Sequence, residues 1–207
     1  VLARRGDQPV ALTSDAGTPR ISDPGYRLVR EARARGIAVT SLPGACAAVV
    51  GLTLSGLPSD RFLFAGFAPA ARAARRSFLA ELAGEQATLI LYESPKRLAE
   101  LLADMVAILG PGRRAVVCRE LTKRYEEVLG GPLAGLATDV ADRQIRGEIV
   151  VLVDRAPPAE ATEESIAAAL GDPLPTMSVK DAATFVSQTL GISRKVAYRI
   201  ALDRSKG

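Results

Sequence analysis

The sequence contains no histidine and no tryptophan. Without an imidazole, neither Ser-His-Asp or Cys-His catalysis nor a His-ligated zinc site can be built. Cysteine is scarce: Cys46 and Cys118 stand far apart, at no metal-binding spacing, and no metal site is expected. The opening residues have no signal-peptide layout, so both thiols are expected to be reduced and the protein cytoplasmic. No apolar run approaches the roughly 20 residues of a membrane-spanning helix. Aromatics make up only 4% of the chain, which leaves the core to Ala, Val, Leu and Ile.

What is there is an ordinary globular composition: 207 residues, 48% hydrophobic and 24% charged. The net charge is +4 and the isoelectric point about 9.3, which permits a nucleic-acid partner without demanding one. Arg72, Arg75 and Arg76, Arg113 and Arg114, and Lys123 and Arg124 form short basic runs, each read by itself as solvated surface. Short strands alternating with helical periods predict an α/β chain with a mostly parallel first sheet. Strands are expected at 10–13 and 38–42, and helices at 26–35 and 45–54, with Leu28, Val29 and Ala32 on one stripe and Gly36 as a C-cap. The turn-rich SGLPSD, 55–60, separates a first domain, 1–57, from a second, 61–154.

In the second domain, strands at 61–65, 88–92, 115–119, 125–129 and 148–153 and helices at 69–84, 95–109 and 133–141 predict a mixed sheet. The 69–84 helix is expected to turn Phe78, Leu79 and Leu82 inward and Arg72, Arg75 and Arg76 outward. Residues 155–177 read as a linker with one helical stretch at 164–170. Residues 178–207 read as a helical extension, two helices split by Gly191-Ile192-Ser193. Arg194, Lys195, Arg199 and Arg204 lie in or near its second helix, a pattern too generic to define DNA binding.

Three loops gather the chemistry. SDAGTPRISDPG, 14–25, places two Asp, two Gly and two Pro in one strand-to-helix connection, longer than the usual ~2–6 residues. Such connections at strand ends are where open α/β sheets bind ligands. Pro43, Gly44, Ala45, Cys46 and Ala47 lead into a helix whose first amides are unpaired by the helix itself. Tyr92 and Glu93 end a strand before Ser94 and Pro95. A fourth segment, Cys118-Arg119-Glu120-Leu121-Thr122-Lys123, sets an Arg, a Glu and a Lys after a strand, suited to holding a phosphate and poising a proton acceptor. Taken alone, its Glu120–Lys123 spacing is that of a surface ion pair.

These segments carry a resemblance. SDAGTP-x-ISDPG, LPGACAA at 42–48, SGLPSDRFLFAGFAP at 55–69, LYESPKRL at 91–98, CRELTKRYEEVLGG at 118–131 and RGEIVVLV at 146–153 resemble, in order and spacing, the ribosomal RNA small subunit methyltransferase I family. That family belongs to the tetrapyrrole methylase superfamily. The resemblance implies a two-domain tetrapyrrole-methylase-like α/β fold, with a parallel-sheet first domain, a mixed-sheet second domain and a small C-terminal helical extension. It implies S-adenosylmethionine as cofactor, held by Ser14, Asp15, Ala16 and Gly17, by Pro43, Gly44, Cys46 and Ala47, and by Tyr92 and Glu93. It implies 2′-O-methylation of a cytidine ribose in the decoding region of 16S ribosomal RNA on the small ribosomal subunit, with Arg119, Thr122, Lys96 and Arg97 toward the RNA. Lys123 or Glu120 is the implied catalytic group, a base or a nearby cation that assists the hydroxyl. A homodimer is implied as well.

The chain departs from the family in two ways. Where the family has PGPSA, this chain has Pro43-Gly44-Ala45-Cys46-Ala47, and a thiol bonds more weakly than the hydroxyl it replaces. The family's opening strand, glycine loop and CEDTR-like segment do not precede Val1, so the chain is expected to start partway into the first domain and to be inactive by itself. Two other readings compete: a tetrapyrrole C-methyltransferase, and a non-catalytic RNA- or ribosome-binding protein that kept the fold.

Overall fold

The structure, a computed structural model, describes residues 9–14, 17–157, 162–171, 173–174 and 176–205. Its contacts divide the chain into two compact units, Val1–Ala156 and Pro157–Gly207.

The first unit is built on a five-stranded mixed sheet of order β1-β2-β5-β3-β4. The strands are β1 (Phe62–Phe67), β2 (Thr88–Glu93), β3 (Arg114–Arg119), β4 (Glu127–Pro132) and β5 (Ile149–Val153). β1 runs parallel to β2, while β5 lies antiparallel between β2 and β3, and β4 pairs antiparallel with β3. β1, β2 and β3 therefore end at one edge of the sheet, in Phe67, Glu93 and Arg119, and β5 begins there at Ile149. The run IVVLV of β5 is buried at every position, as a central strand covered on both faces must be.

Alternation along the strands divides the core in two. Leu89, Leu91, Val117, Val151 and Val153 pack beneath α3 (Arg72–Glu81), α4 (Leu98–Leu109) and α5 (Leu133–Ala141). Ile90, Val116, Cys118, Val150 and Leu152 face the other way, against Ala48 and Leu52 of α2 (Ala47–Ser55). Gly51 lets α2 lie close: a Cβ there would stand 3.3 Å from both Val150 and Leu152. Burial raises the Cys118 thiol to about 11, so it is an inert core group.

The structure corrects two expectations. Residues 10–13 and 38–42 form no strand, because no described segment lies alongside to exchange hydrogen bonds with them, and Val10, Leu12, Val39 and Leu42 stay exposed. Helix α1 (Tyr26–Ala34) forms within the expected span, with Gly25 at its N-cap. Gly25 has φ 130°, and a Cβ would meet Leu12 at 2.8 Å, so glycine is required there. Arg75 and Arg113 are interior, not solvated. Arg75 donates to Asp104 at 2.8 Å, to Glu100 at 3.2 Å and to the Ala70 carbonyl at 3.2 Å. Arg113 donates to the carbonyls of Asp154 and Ala83, at 2.8 and 2.9 Å. Acceptors waiting inside are what let these guanidiniums be buried.

In the second unit, α6 (Glu163–Leu170), α7 (Val179–Leu190) and α8 (Arg194–Arg204) bury Ile166, Leu170, Ala182, Ala183, Val186, Ala197 and Ala201 together. The stretch read as linker thus supplies one of three packed helices. Thr162 caps α6 and Ser178 caps α7 through their hydroxyls. Gly191, in the left-handed region at φ 64°, ends α7 and turns the chain toward α8. No helix among the described residues is long and apolar enough to cross a membrane.

Candidate active site

The expected cofactor loops come together in the first unit. The Thr18 hydroxyl donates to the Ala45 carbonyl at 3.0 Å, tying the 14–25 loop to the 43–47 loop. Ser14 donates to the Asp23 carboxylate at 2.6 Å, which folds the first loop on itself. Arg20 and Ser22 hold positive φ, 75° and 59°, a conformation non-glycine residues adopt only when the surroundings impose it. A glycine of each loop faces the other loop. A Cβ on Gly17 would stand 3.7 Å from the Ala45 carbonyl, and one on Gly44 3.8 Å from the Thr18 hydroxyl. Pro43, Gly44, Ala45 and Ala47 are exposed, so this backbone is open to a ligand. Asp15 and Ala16 lie outside the described residues.

Tyr92 joins this group from the sheet. Its hydroxyl accepts the Ala48 amide at 3.1 Å, and its ring packs edge-on against Phe64 and Phe67. Burial pushes its phenol above the usual value; the Ala48 amide pulls it down and the neighbouring Cys46 thiol adds to the rise. Tyr92 is therefore neutral at physiological pH and consumes one of the α2 amides expected to be free. Cys46 sits at the N-cap of α2 in extended conformation, and its side chain caps nothing.

Glu93 is different. Its side chain is fully buried: one carboxylate oxygen accepts the Ser94 amide at 2.8 Å and the other pairs with Arg97 at 3.0 Å. Arg97 also donates to the Ala68 carbonyl. The pair braces the turn between β2 and α4, while Glu93 Oε2 and Arg97 Nε are buried without a hydrogen-bond partner among the described residues. Lys96, between them in this turn, is exposed.

The second cluster lies on the loop after β3. Lys123 bonds Glu120 at 2.9 Å and Glu148 at 3.0 Å. Glu120 also accepts the Glu148 amide at 2.9 Å. The Glu148 amide and the Lys123 ammonium hold Glu120 below the usual carboxylate range. Its bonds to Glu120 and Glu148 hold Lys123 above the usual lysine value. At neutral pH the pair is therefore carboxylate and ammonium, and Lys123 is a cation, not a free base. Glu120 and Thr122 both have positive φ, 50° and 63°. Gly147, at φ 96°, makes room: a Cβ there would fall 2.4 Å from the Glu120 side chain. Arg119 pairs with Glu127 at 3.0 Å, and Arg143 binds the same carboxylate at 2.6 Å. The Thr122 amide donates to Glu126 at 2.7 Å.

Tyr92 and this loop share the sheet edge fixed by the register Tyr92↔Val150↔Cys118, and Leu121, Tyr92 and Cys46 all pack on the apolar cluster beneath α2. Sequence reasoning missed Thr18, Glu148, Gly147 and Arg143. The RGE ahead of β5 was the available signal for Glu148 and Gly147: the β3–β5 register carries Arg119 opposite Ile149 and so sets Glu148 beside Glu120.

Proteins similar to this chain in sequence and in fold are known. The sequence pattern of the Tetrapyrrole (Corrin/Porphyrin) Methylases matches residues 1–137, and that of the RsmI C-terminal HTH domain matches residues 159–205. The methyltransferase CobJ superimposes with a TM-score of 0.52 at 19% identity, over 68% of this chain and 62% of CobJ, a likeness of fold. The chain thus spans somewhat less than two thirds of CobJ. The ribosomal RNA small subunit methyltransferase I of Pseudomonas aeruginosa is 48% identical over 97% of this chain and 73% of its own length. Its counterpart in Escherichia coli O157:H7 is 43% identical over 95% of this chain and 70% of its own. The chain belongs to the ribosomal RNA small subunit methyltransferase I family of tetrapyrrole methylases.

Proposed function

We propose that this chain transfers a methyl group from S-adenosylmethionine to the ribose 2′-oxygen of a cytidine in the decoding region of 16S ribosomal RNA. The observation that carries the reading is the 48% identity to a ribosomal RNA small subunit methyltransferase I over 97% of the chain.

The loop pair fits an adenosine-bearing cofactor: open backbone at Pro43 and Gly44, small side chains at Gly17, Ala45 and Ala47, and the Phe64–Phe67–Tyr92 apolar wall beside Cys46. When bound, S-adenosylmethionine supplies an electrophilic methyl group on a sulfonium. The loop tie between Thr18 and Ala45 holds the two backbones at a fixed gap, and Tyr92 fixes the start of α2. Fixed positions matter because in-line displacement depends on alignment of the two reacting atoms. Lys123, held as an ammonium between two carboxylates, stabilises negative charge growing on an acceptor oxygen. Glu120, held as a carboxylate, is the acceptor available for the departing proton. Arg119, Thr122 and Lys96 flank the RNA side. The chain acts on the small ribosomal subunit in the cytoplasm, as a homodimer.

The test is transfer of labelled methyl groups to small ribosomal subunits, by the chain alone and by the chain preceded by the family's opening glycine-loop segment (the extended chain). Label at one cytidine 2′-oxygen with the extended chain supports the reading. No label with either chain contradicts it.

A further inference from the structure

The C-terminal helical unit presents a face that the methyl-transfer reading leaves unused. Lys180 at the start of α7, Arg194 and Lys195 at the start of α8, and Tyr198 one turn along line a single shallow depression of about 390 Å³, open to solvent. All four are exposed, Tyr198 to 42%.

The other cations of α8 are engaged within the unit. Arg199 pairs with Glu163 at 2.7 Å, and Arg204 donates to the Ala167 carbonyl at 2.6 Å. Lys180, Arg194 and Lys195 form no ion pair among the described residues, and no carboxylate lines the depression. Asp181, next to Lys180, is occupied by the Ser178 hydroxyl at 2.6 Å. The placement also works against helix stability. Cations in a first turn oppose the helix dipole, and α8 has no acidic residue in its first turn to offset them. Positive charge kept where it costs stability, unpaired and beside an exposed aromatic ring, is the chemistry of a site for a polyanion with flat bases. Arg194 and Tyr198, four residues apart, share one helix face, so a phosphate at the first sets a neighbouring base over the second.

We propose that Lys180, Arg194, Lys195 and Tyr198 bind single-stranded RNA, the three cations on its phosphates and Tyr198 stacked on an unpaired base. An open depression suits a polymer passing across it better than an enclosed small molecule. The proposal rests on the reading of the chain as an enzyme of ribosomal RNA for the identity of its partner. It does not depend on the cofactor loops.

The experiment is fluorescence anisotropy of a labelled oligouridine of about twelve nucleotides titrated with the full chain, from about 50 to 200 mM KCl. The unaltered chain is expected to bind with salt-dependent affinity. Lys180→Gln, Arg194→Gln and Lys195→Gln combined should weaken binding by about 100-fold near 100 mM salt and reduce the log–log salt slope by about 2. Tyr198→Ala should weaken it by about tenfold with the slope unchanged, while Tyr198→Phe retains it. Arg199→Gln, which touches an engaged cation, should leave the slope as it is. Circular dichroism confirms that each variant keeps its helices. Unchanged affinity and slope in the triple variant would overturn the proposal. So would displacement of the RNA by poly-glutamate as readily as by unlabelled oligouridine, since the site would then take any polyanion, including an acidic protein segment. Calorimetry with S-adenosylmethionine on the extended chain separates the two readings: RNA binding lost in the triple variant but no cofactor heat in any chain upholds this site and removes the methyltransferase reading.

Discussion

Two ionic clusters in the first unit use the same residue types for opposite ends. At Asp104, one buried carboxylate meets three guanidiniums: Arg75 at 2.8 Å, Arg76 at 3.2 Å and Arg72 at 3.5 Å. At Lys123, one exposed ammonium meets two carboxylates, Glu120 and Glu148. The first ties α3 to α4 beneath the sheet, on relaxed helical backbone. The second sits on a loop with positive φ at Glu120 and Thr122, at the sheet edge beside the apolar cluster of Tyr92 and Cys46. On the proposed reading, charge serves stability in the first cluster and chemistry in the second. Burial makes a pair costly to break, whereas exposure and backbone strain mark a pair kept for something other than stability.

The largest effect should come from the buried cluster. Asp104→Ala leaves buried Arg75 only the exposed Glu100 carboxylate and the Ala70 carbonyl, and should cost about 3 kcal/mol in urea unfolding, since removing one partner of a buried ion pair is strongly destabilising. Burial alone would raise the Asp104 carboxyl, but Arg75, Arg76 and Arg72 outweigh it and hold it below its usual range. A depressed carboxyl stabilises the fold above its unfolded pKa and loses that contribution as pH falls through the folded one. The gap between the unaltered chain and Asp104→Asn should therefore be full at neutral pH, begin to close below about pH 4 and vanish in stronger acid.

Next in size, Lys123→Met in the extended chain should lower methyl transfer by about 100-fold. Its unfolding midpoint should stay that of the unaltered chain, because the pair it removes is exposed. If the midpoint drops and turnover holds, the contrast between the clusters is wrong. Gly147→Ala sharpens the same point: its Cβ would displace the Glu120 side chain. Transfer should fall by about tenfold, with stability lower by ~1–3 kcal/mol for the left-handed backbone. Smallest is Tyr92→Phe, which orphans the Ala48 amide and should cost about 1 kcal/mol in urea unfolding.

The sequence was most legible where local pattern and burial agree. The pattern at 133–141 predicts a helix, and α5 spans those bounds; the apolar run IVVLV forms the central strand β5. It was least legible where a distant partner decides. Val10–Thr13 and Ala38–Leu42 have strand composition, yet a strand exists only beside another, and none of the described segments pairs with them. Arg75 looked like surface because its buried acceptor, Asp104, lies 29 residues on. Glu148 was invisible as a partner of Lys123, 25 residues away, until the β3–β5 register placed it. Glycines and prolines mark the loop pair in the sequence, but the contact that joins it, Thr18 to Ala45, spans 27 residues and has no local signal.

The proposed function is a division of labour at this sheet edge, with the loops at Gly17 and Gly44 holding the cofactor and Lys123 acting on the acceptor. Calorimetric titration of S-adenosylmethionine into the extended chain tests it most directly, comparing the unaltered protein with Gly44→Leu and Lys123→Met. The account predicts that Gly44→Leu, which fills the gap facing Thr18, abolishes the binding heat, and that Lys123→Met leaves it unchanged. Binding that survives Gly44→Leu and disappears with Lys123→Met would contradict it.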